Sequence, residues 1–239
     1  MRIEILYPEL CNLYGDAMNA EYLRRAIPEA QIVKTSLKAS PAFADRETNL
    51  IYLGSMTEYG QTIAAEALQP HRDRIVELVG GETTFLVTGN ALELFGTRIE
   101  NEDGSFIETL GLFDMYAKRQ MMRRYNSIYL GTFNDIEIVG FKSQFAHIYD
   151  SGAKTIPALF QTRRGAGRKP GQTEEGVHIN NFLATYVLGP LLILNPLFTH
   201  YLLDILGVKA HKLPYEQAAM AAYEARLHEF KNPKTGEEY

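Results

Sequence analysis

The chain has a single cysteine among its 239 residues. Cys11 therefore has no partner for an intramolecular disulfide. The first ten residues, MRIEILYPEL, lack the basic and then apolar pattern of a signal peptide. Both features predict a cytoplasmic location.

An excess of positive charge is also missing, since the formal net charge is -5. This balance favours neither nucleic acid nor an anionic membrane as the main partner. The longest apolar run, around Phe182 to Leu194, is interrupted by polar residues, by Gly189 and by Pro190. It falls short of the ~20 apolar residues that a membrane span requires, so we expect no transmembrane helix.

Short apolar runs do occur, and hydrophobic residues make up 46% of the chain. The runs at Ile3 to Leu6, Asn49 to Leu53 and Phe85 to Val87 resemble buried strands separated by helix-length segments. Such alternation predicts an α/β fold of the flavodoxin-like type, a doubly wound and mostly parallel sheet. Segments rich in Tyr, Ile, Phe and Val between Gly111 and Phe160 predict added antiparallel strands.

Helix boundaries are marked by proline, asparagine and glycine. Gln69-Pro70 predicts a helix start, with Ile75, Val76 and Val79 on the inner face and an end at Gly80-Gly81. Asn195-Pro196 predicts a capped helix that Gly207 ends. A last helix is expected from about Pro214 to Lys231, followed by a frayed KTGEEY end. The segment from Arg163 to Glu175, RRGAGRKPGQTEE, is expected to be an exposed, mobile loop, with phosphate or acidic-partner binding as the alternative.

Three motifs carry a resemblance to a known family. LYPELCNLYGDAMN, from Leu6 to Asn19, resembles a family opening close to LYPDLMNLYGDRGN. TYVLGPLLILNPLFTHYLL, from Thr185 to Leu203, is similar to TYLHGPLLxxNPxLADxLL, and FLVTGNALELFG, from Phe85 to Gly96, lies between them. The family is the class I glutamine amidotransferases of the cobyric acid synthase type, and the resemblance is strongest to the glutaminase subunit of lipid II isoglutaminyl synthase.

The resemblance implies a specific chemistry. In such enzymes a cysteine thiolate at a strand-to-helix elbow attacks the amide of glutamine, and a histidine activates the thiol. Backbone N–H groups of a glycine-rich loop hold the oxyanion, and the ammonia passes to a synthetase. Each part is physically necessary, since the thiolate needs a base and the tetrahedral intermediate needs donors.

Each part of that centre is altered here. The elbow motif CGGYQLLG becomes GNALELFG, which places Gly89 at the nucleophile position, or Thr88 if the alignment shifts by one. The base position holds Leu188. Two loop glycines are Ser55 and Met56 in GSMTEYGQ. In GFKSQFAH, Lys142 and Gln144 replace a carboxylate and a histidine.

Three functions are therefore weighed. The first is a catalytically degenerate binding, scaffold or regulatory subunit beside a Mur-ligase-like or other synthetase. The second is an active glutaminase that uses Cys11 and supplies ammonia to a cobyric acid synthase or lipid II isoglutaminyl synthase type of amidation. The third is altered chemistry in the same cleft, carried by Glu93, Lys142 or Asp16. The predicted cleft residues are Asn12, Tyr14, Asp16, Ser55, Met56, Asn90, Glu93, Lys142 and Gln144.

Other assignments complete the prediction. We expect residues 1–207 to form the amidotransferase-like domain and 208–239 a helical extension that covers a sheet edge or forms a homo-oligomer contact. No cofactor or metal is expected, because no histidine has a second ligand at short spacing. The basic cluster Lys118, Arg119, Arg123 and Arg124 is interpreted as an outward-facing strand, with an anion site or docking ridge as the alternative.

Overall fold

The computed structural model of the protein describes residues 1–152, 155–209 and 212–237. Its strands are β1 (Arg2–Leu6), β2 (Gln31–Thr35), β3 (Leu50–Leu53), β4 (Thr84–Thr88), β5 (Arg98–Glu100), β6 (Phe106–Glu108), β7 (Met115–Arg119), β8 (Tyr125–Phe133), β9 (Ile136–Gln144), β10 (Ala146–Asp150), β11 (Phe160–Arg164), β12 (Glu174–Glu175), β13 (Val177–Ile179) and β14 (Phe182–Thr185). The α-helices are α1 (Met18–Ala26), α2 (Glu58–Leu68), α3 (Arg72–Gly80), α4 (Leu191–Leu194), α5 (Pro196–Ile205) and α6 (Glu216–Lys231). Short 3₁₀ turns span Leu13–Gly15, Ala42–Ala44, Gln69–His71 and Gly89–Phe95.

A six-stranded sheet in the order β13-β14-β4-β3-β1-β2 forms the centre of the fold. Only the β13–β14 pairing is antiparallel. Every residue of β3 and β4 is buried, as expected for strands that are covered on both faces. The predicted α/β architecture is confirmed.

Helices cover both faces of this sheet. Alternate residues of β4 point to opposite sides, so that Phe85 and Val87 join one buried cluster with α2 and α3. Leu86 joins the other cluster with α1 and α5. At the start of α2, Thr57 is an N-cap residue of the usual kind, because its side chain accepts a hydrogen bond from the Gly60 N–H (3.0 Å).

Two four-stranded sheets supply the predicted antiparallel additions. Their orders are β10-β7-β5-β6 and β12-β11-β8-β9, and the β8–β9 hairpin is the longest pairing. All pairings within them are antiparallel except β5 with β7. The β7–β10 pair extends the first buried cluster through Met115, Ala117 and Ile148.

Two helix predictions need correction. A 3₁₀ turn contains Pro70 and α3 begins at Arg72, which turns Val76 outward, 44% exposed, while Leu78 faces the core. Asn195 precedes α5 but its side chain does not cap the helix. It bonds instead to both backbone groups of Val139 on β9, because a buried amide must satisfy its donors and acceptor.

The predicted mobile loop between Arg163 and Glu175 is wrong in its central part. Arg168 is buried and donates to the carbonyls of Gly176 (2.8 Å) and Ile156 (2.5 Å). Its own N–H donates to the carbonyl of Glu174 (2.7 Å). A guanidinium with several carbonyl acceptors can be buried without cost to its hydrogen bonding, and here it fixes the loop.

The last helix packs on the β8–β9 hairpin. Tyr223 and Phe230 of α6 form a small cluster with Ile128 and Val139. The segment after α6 is held by Arg164, which donates to the carbonyls of Phe230, Asn232 and Thr235. The division at 207/208 stays a prediction, and residues 238–239 of the predicted frayed end lie outside the described residues. Within the described ranges, no helix combines the length and the apolar character needed to cross a bilayer.

Candidate functional site

The predicted elbow lies at the carboxyl edge of the central sheet. β4 ends at Thr88, and Gly89, the first residue of the 3₁₀ turn, adopts a left-handed conformation with φ +64°. Such a φ favours glycine because it lacks Cβ. The loops after β1 and β3 reach the same edge, which is where open α/β sheets form ligand crevices.

A cleft of about 300 Å³ opens beside the elbow. Six of the nine predicted cleft residues line it: Tyr14, Ser55, Met56, Asn90, Glu93 and Gln144. Leu188, at the predicted base position, also lines it. Asn12, Asp16 and Lys142 do not.

The space in front of Gly89 is filled by Ser55. A Cβ at position 89 would overlap the Cβ of Ser55 and would lie 3.2 Å from Cδ2 of Leu188. A contact of this kind requires a shift of the surrounding atoms. The elbow therefore has no room for a side chain of any type while Ser55 stays in place.

The loop after β3 has its backbone donors occupied. The Ser55 N–H donates to Oδ2 of Asp16 (2.7 Å), and the Met56 N–H donates to Oδ1 of Asn90 (3.0 Å). The Asn90 amide in turn donates to the Met56 carbonyl (2.7 Å). These two N–H groups are thus directed at side chains of the protein itself.

Asp16 is a buried residue that connects neighbouring loops through hydrogen bonds. Its carboxylate accepts hydrogen bonds from the Thr88 hydroxyl (2.5 Å) and the Asn19 amide (2.7 Å), and the Tyr52 hydroxyl donates to its backbone carbonyl. Burial raises the pKa of Asp16, and the hydrogen bonds from Thr88, Ser55 and Tyr52 oppose that rise. The same contacts hold the Thr88 hydroxyl inside the core, away from the cleft.

Lys142 points away from the cleft toward Glu175. Its ammonium donates to the carbonyls of Gly167 (2.6 Å) and Ala166 (3.1 Å) and lies 3.5 Å from Oε1 of Glu175. Both side chains are fully buried. Burial lowers the pKa of Lys142, and Glu175 opposes that shift.

Cys11 is 2% exposed and does not line the cleft. Burial raises the pKa of its thiol to about 12, and the nearby charges of Asp16 and Glu9 act in the same direction. The backbone of Gly54 is the one group that opposes the rise, and no histidine contributes. A thiol with such a pKa is almost entirely protonated at neutral pH and is a poor nucleophile.

Glu93 is the titratable group at the floor of the cleft. Its carboxylate accepts from the Tyr186 hydroxyl (3.0 Å) and the Gln61 amide (2.9 Å). Burial raises the pKa of Glu93 to about 7, while Gln61 and Arg119 limit the shift. The carboxyl group therefore changes charge near neutral pH.

This pKa predicts a pH-dependent stability. A carboxyl group whose folded pKa is about 7 and whose ordinary value is 4.5 favours the folded state below pH 4.5 and loses that contribution as the pH rises to about 7. We expect Glu93→Gln to remove about 3 kcal/mol of this pH dependence. The measurement is the free energy of unfolding between pH 4.5 and pH 8 for both proteins.

The pKa of Asp16 is also raised, so Asp16 contributes to the pH dependence of the unfolding free energy in both proteins. The difference between the two pH profiles therefore isolates the contribution of Glu93. The absolute stability of the variant is not the readout, since the new amide loses a hydrogen bond. Parallel pH profiles for the two proteins would contradict the shifted pKa.

Arg119 is a cleft residue that the sequence did not reveal. The expected outward-facing strand is wrong for this side chain, because β7 turns Arg119 inward with Met115 and Ala117. Its guanidinium donates to Oε1 of Gln61 (2.7 Å) and Oδ1 of Asn101 (3.0 Å). The inward alternation of Met115 and Ala117 was the signal that could have placed it.

Two buried polar atoms at the cleft have no protein partner, Nε of Arg119 and Oε1 of Gln144. Buried polar atoms are usually hydrogen-bonded, so this donor and this acceptor are exceptions among the described residues. No group of three or more His, Cys, Asp or Glu among the described residues is arranged to hold a metal ion.

Comparison with solved structures places the fold in one class. A glutamine amidotransferase matches with a TM-score of 0.57 at 13% identity, over 86% of this chain and 99% of that chain. A glutamine amidotransferase from Thermotoga maritima matches with a TM-score of 0.53 at 10% identity, over 97% of this chain and 92% of the other. The chain has the glutamine amidotransferase fold. No protein-family model matches the sequence.

Two relatives are similar to the chain in sequence. One is the lipid II isoglutaminyl synthase (glutamine-hydrolyzing) subunit GatD of Staphylococcus aureus N315, 26% identical over 195 residues, which are 81% of this chain and 79% of that protein. The other is the same subunit of Streptococcus pneumoniae R6, 24% identical over 206 residues, 82% of this chain and 76% of that protein. The chain is therefore similar in sequence to these subunits, which confirms the resemblance seen in the sequence.

Proposed function

We propose that the protein is a catalytically degenerate glutamine amidotransferase-like subunit that binds a synthetase partner and does not hydrolyse glutamine. The observation that carries this proposal is the elbow, where Ser55 occupies the space that a side chain on Gly89 would need. A thiol cannot be presented at that position. Nucleophile and base act as a unit, so the loss of either removes most of the rate.

The surrounding groups support the same conclusion. The base position, Leu188, offers a side chain without a proton acceptor. The N–H groups of Ser55 and Met56, which the resemblance would assign to the oxyanion, already donate to Asp16 and Asn90. Cys11 is buried with a raised pKa of about 12, which argues against its use as a replacement nucleophile.

The partner is proposed from the relatives. Both are named as subunits of lipid II isoglutaminyl synthase, so a Mur-ligase-like or related synthetase is the partner that we propose for this chain. A cytoplasmic location is part of the proposal, and the one free, buried cysteine is usual for a protein of a reducing compartment. A homo-oligomer through the predicted extension, residues 208–239, stays the alternative assembly.

The activity test is a glutamine hydrolysis assay on the purified protein, alone and with its co-expressed synthetase. We expect no turnover above the buffer rate, and Cys11→Ala should leave that result unchanged. Turnover that Cys11→Ala abolishes would overturn the proposal in favour of an active glutaminase. Turnover that survives Cys11→Ala would point to a different nucleophile and would also reject degeneracy.

The binding test is affinity purification from native lysate followed by mass spectrometry. α1 begins at Met18, which is exposed and lines a groove with Tyr215, and Phe106 is an exposed residue on β6 of another sheet. We expect a Mur-ligase-like chain to co-purify with the wild type and with Phe106→Asp, and to be lost with Met18→Asp. Recovery of the protein alone in all three samples would count against a scaffold role.

A second candidate function is altered acid-base chemistry in the cleft. It is favoured by the raised pKa of Glu93, about 7, beside the unpaired atoms of Arg119 and Gln144. A carboxyl group with a pKa near the working pH suits proton transfer. Native mass spectrometry of the purified protein tests it: a bound small molecule lost in Arg119→Gln supports this function, and an unliganded mass supports the scaffold.

A further inference from the structure

A second, larger groove lies beside the cleft. It encloses about 640 Å³ and is lined by residues from two segments, 120–126 and 169–170, together with the outer face of β10. Its cationic side chains are Arg123, Arg124 and Lys169. Arg124 also lines the cleft, so the two cavities adjoin.

The three cations have no carboxylate partner within 4 Å among the described residues. Most arginines elsewhere in the described part of the chain do, for example Arg98 with Glu100 and Arg163 with Glu137. The whole chain carries a net charge of -5. Cations without ion-pair partners make the groove a region of positive potential on an acidic protein.

Aromatic rings hold the cations in place. The Lys169 ammonium lies 4.4 Å from the ring centre of Tyr149, which stacks on Tyr116 (5.4 Å). The Arg124 guanidinium lies 4.4 Å from the ring centre of Phe145. Cations held over rings lose less conformational entropy when an anion binds.

The loop that carries Lys169 is also fixed. Its neighbour Arg168 is buried and bonded to carbonyls, and the Gln172 N–H closes a turn on the Lys169 carbonyl (3.2 Å). Burial and the nearby Lys142 lower the pKa of His147 in the groove, which disfavours its charged form. The positive charge of the groove therefore comes from Arg123, Arg124 and Lys169.

The charge and size select the kind of anion. A single carboxylate carries one negative charge and would leave most of these cations without a partner. Phosphate and pyrophosphate groups carry several charges and many acceptor oxygens, and so match three cations better. A concave space of about 640 Å³ suits a small ligand or headgroup, while an acidic protein would dock over a broader surface.

An apolar rim adjoins the cations. Met122 is 93% exposed and Met121 is 41% exposed at the turn just before Arg123. We propose that this groove binds the phosphate or pyrophosphate group of a ligand, borne either by a soluble phosphate ester or by a lipid headgroup. Only the lipid source would also use the methionines, which would contact the apolar chain or the acyl boundary.

The first experiment is calorimetric titration of the full chain with inorganic pyrophosphate in low-salt buffer. The groove variant is Arg123→Gln with Lys169→Gln. Its control is Lys34→Gln with Lys38→Gln, which removes the same charge from exposed positions at and after the edge strand β2. We expect the groove variant to weaken binding by at least about tenfold, from two lost charge-assisted hydrogen bonds, and the control to change it little.

The second experiment separates the two sources. Sedimentation is measured with phosphatidylglycerol vesicles and with phosphatidylcholine vesicles, using wild type, the groove variant and Met122→Gln. Binding to the anionic vesicles that both variants abolish supports the lipid source. Pyrophosphate binding that Met122→Gln leaves intact, without vesicle binding, supports a soluble phosphate ester.

Three results would overturn the proposal. Equal weakening in the groove and control variants would show non-specific charge attraction. Failure of the wild type to bind either pyrophosphate or anionic vesicles would show that the groove does not bind phosphate-bearing ligands. Binding of poly-glutamate through the groove, with no response to pyrophosphate, would assign the surface to an acidic polypeptide. None of these results depends on whether the protein hydrolyses glutamine.

Discussion

Lys142→Met is expected to lower the free energy of unfolding by about 3–5 kcal/mol. Methionine is one heavy atom shorter than lysine and fills most of the same space, but it leaves the fully buried carboxylate of Glu175 without the ammonium that lies 3.5 Å away. Glu175 retains its hydrogen bonds from the Thr185 hydroxyl and the Tyr186 N–H. Those neutral donors cannot replace the lost charge, so urea unfolding should show a large shift of the midpoint.

Adding Glu175→Gln to Lys142→Met should recover about 2 kcal/mol, because it removes the uncompensated charge. The control is Lys231→Met, whose ammonium pairs with Glu137 at 2.5 Å but is half exposed. An exposed pair contributes at most about 1 kcal/mol. Equal losses in Lys142→Met and Lys231→Met would disprove the buried-charge explanation.

Gly89→Cys is expected to lower the free energy of unfolding by about 3 kcal/mol, from left-handed backbone strain and steric overlap together. The overlap is with Ser55, so Ser55→Gly combined with Gly89→Cys should recover roughly half of the loss by removing that term. Thermal or urea unfolding of the two variants measures the difference.

Gly111 provides a matched control for the backbone term. It has φ +60°, close to that of Gly89, but a Cβ there would meet nothing within 4 Å. Gly111→Ala should therefore cost only the strain, about 1 kcal/mol, while Gly89→Ala should cost nearly as much as Gly89→Cys. Similar losses for Gly89→Ala and Gly111→Ala would mean that Ser55 moves aside freely, and the steric argument for degeneracy would fail.

The sequence predicted the fold well because its strongest signals are local. Phe85 to Val87 and Asn49 to Leu53 are short apolar runs bounded by polar residues, and such runs form the inner strands of parallel sheets. Two of the errors share one physical cause. Arg168 and Asn195 are polar residues that sequence patterns assign to surface loops and caps, yet here distant carbonyls and N–H groups satisfy them in the interior.

The sequence also predicted part of the site, because the order of its motifs along the chain is a local signal. Motif order located the elbow, Ser55 and Asn90, since these positions follow consecutive strands at one sheet edge. Lys142 was expected in the cleft, but its partner Glu175 lies 33 positions along the chain and draws the ammonium to the other side. Arg119 was missed because a charged residue in a basic run is normally solvated.

The packing of Ser55 against Gly89 constrains the order in which substitutions can accumulate in a lineage. A side chain gained at position 89 is disfavoured until position 55 has first become smaller. A mutational route toward a reactive elbow must therefore first reduce the side chain at position 55, which removes the hydrogen bond from the Ser55 hydroxyl to the Leu13 carbonyl. Ancestral sequences along this branch should show glycine at the loop position whenever the elbow carries a side chain.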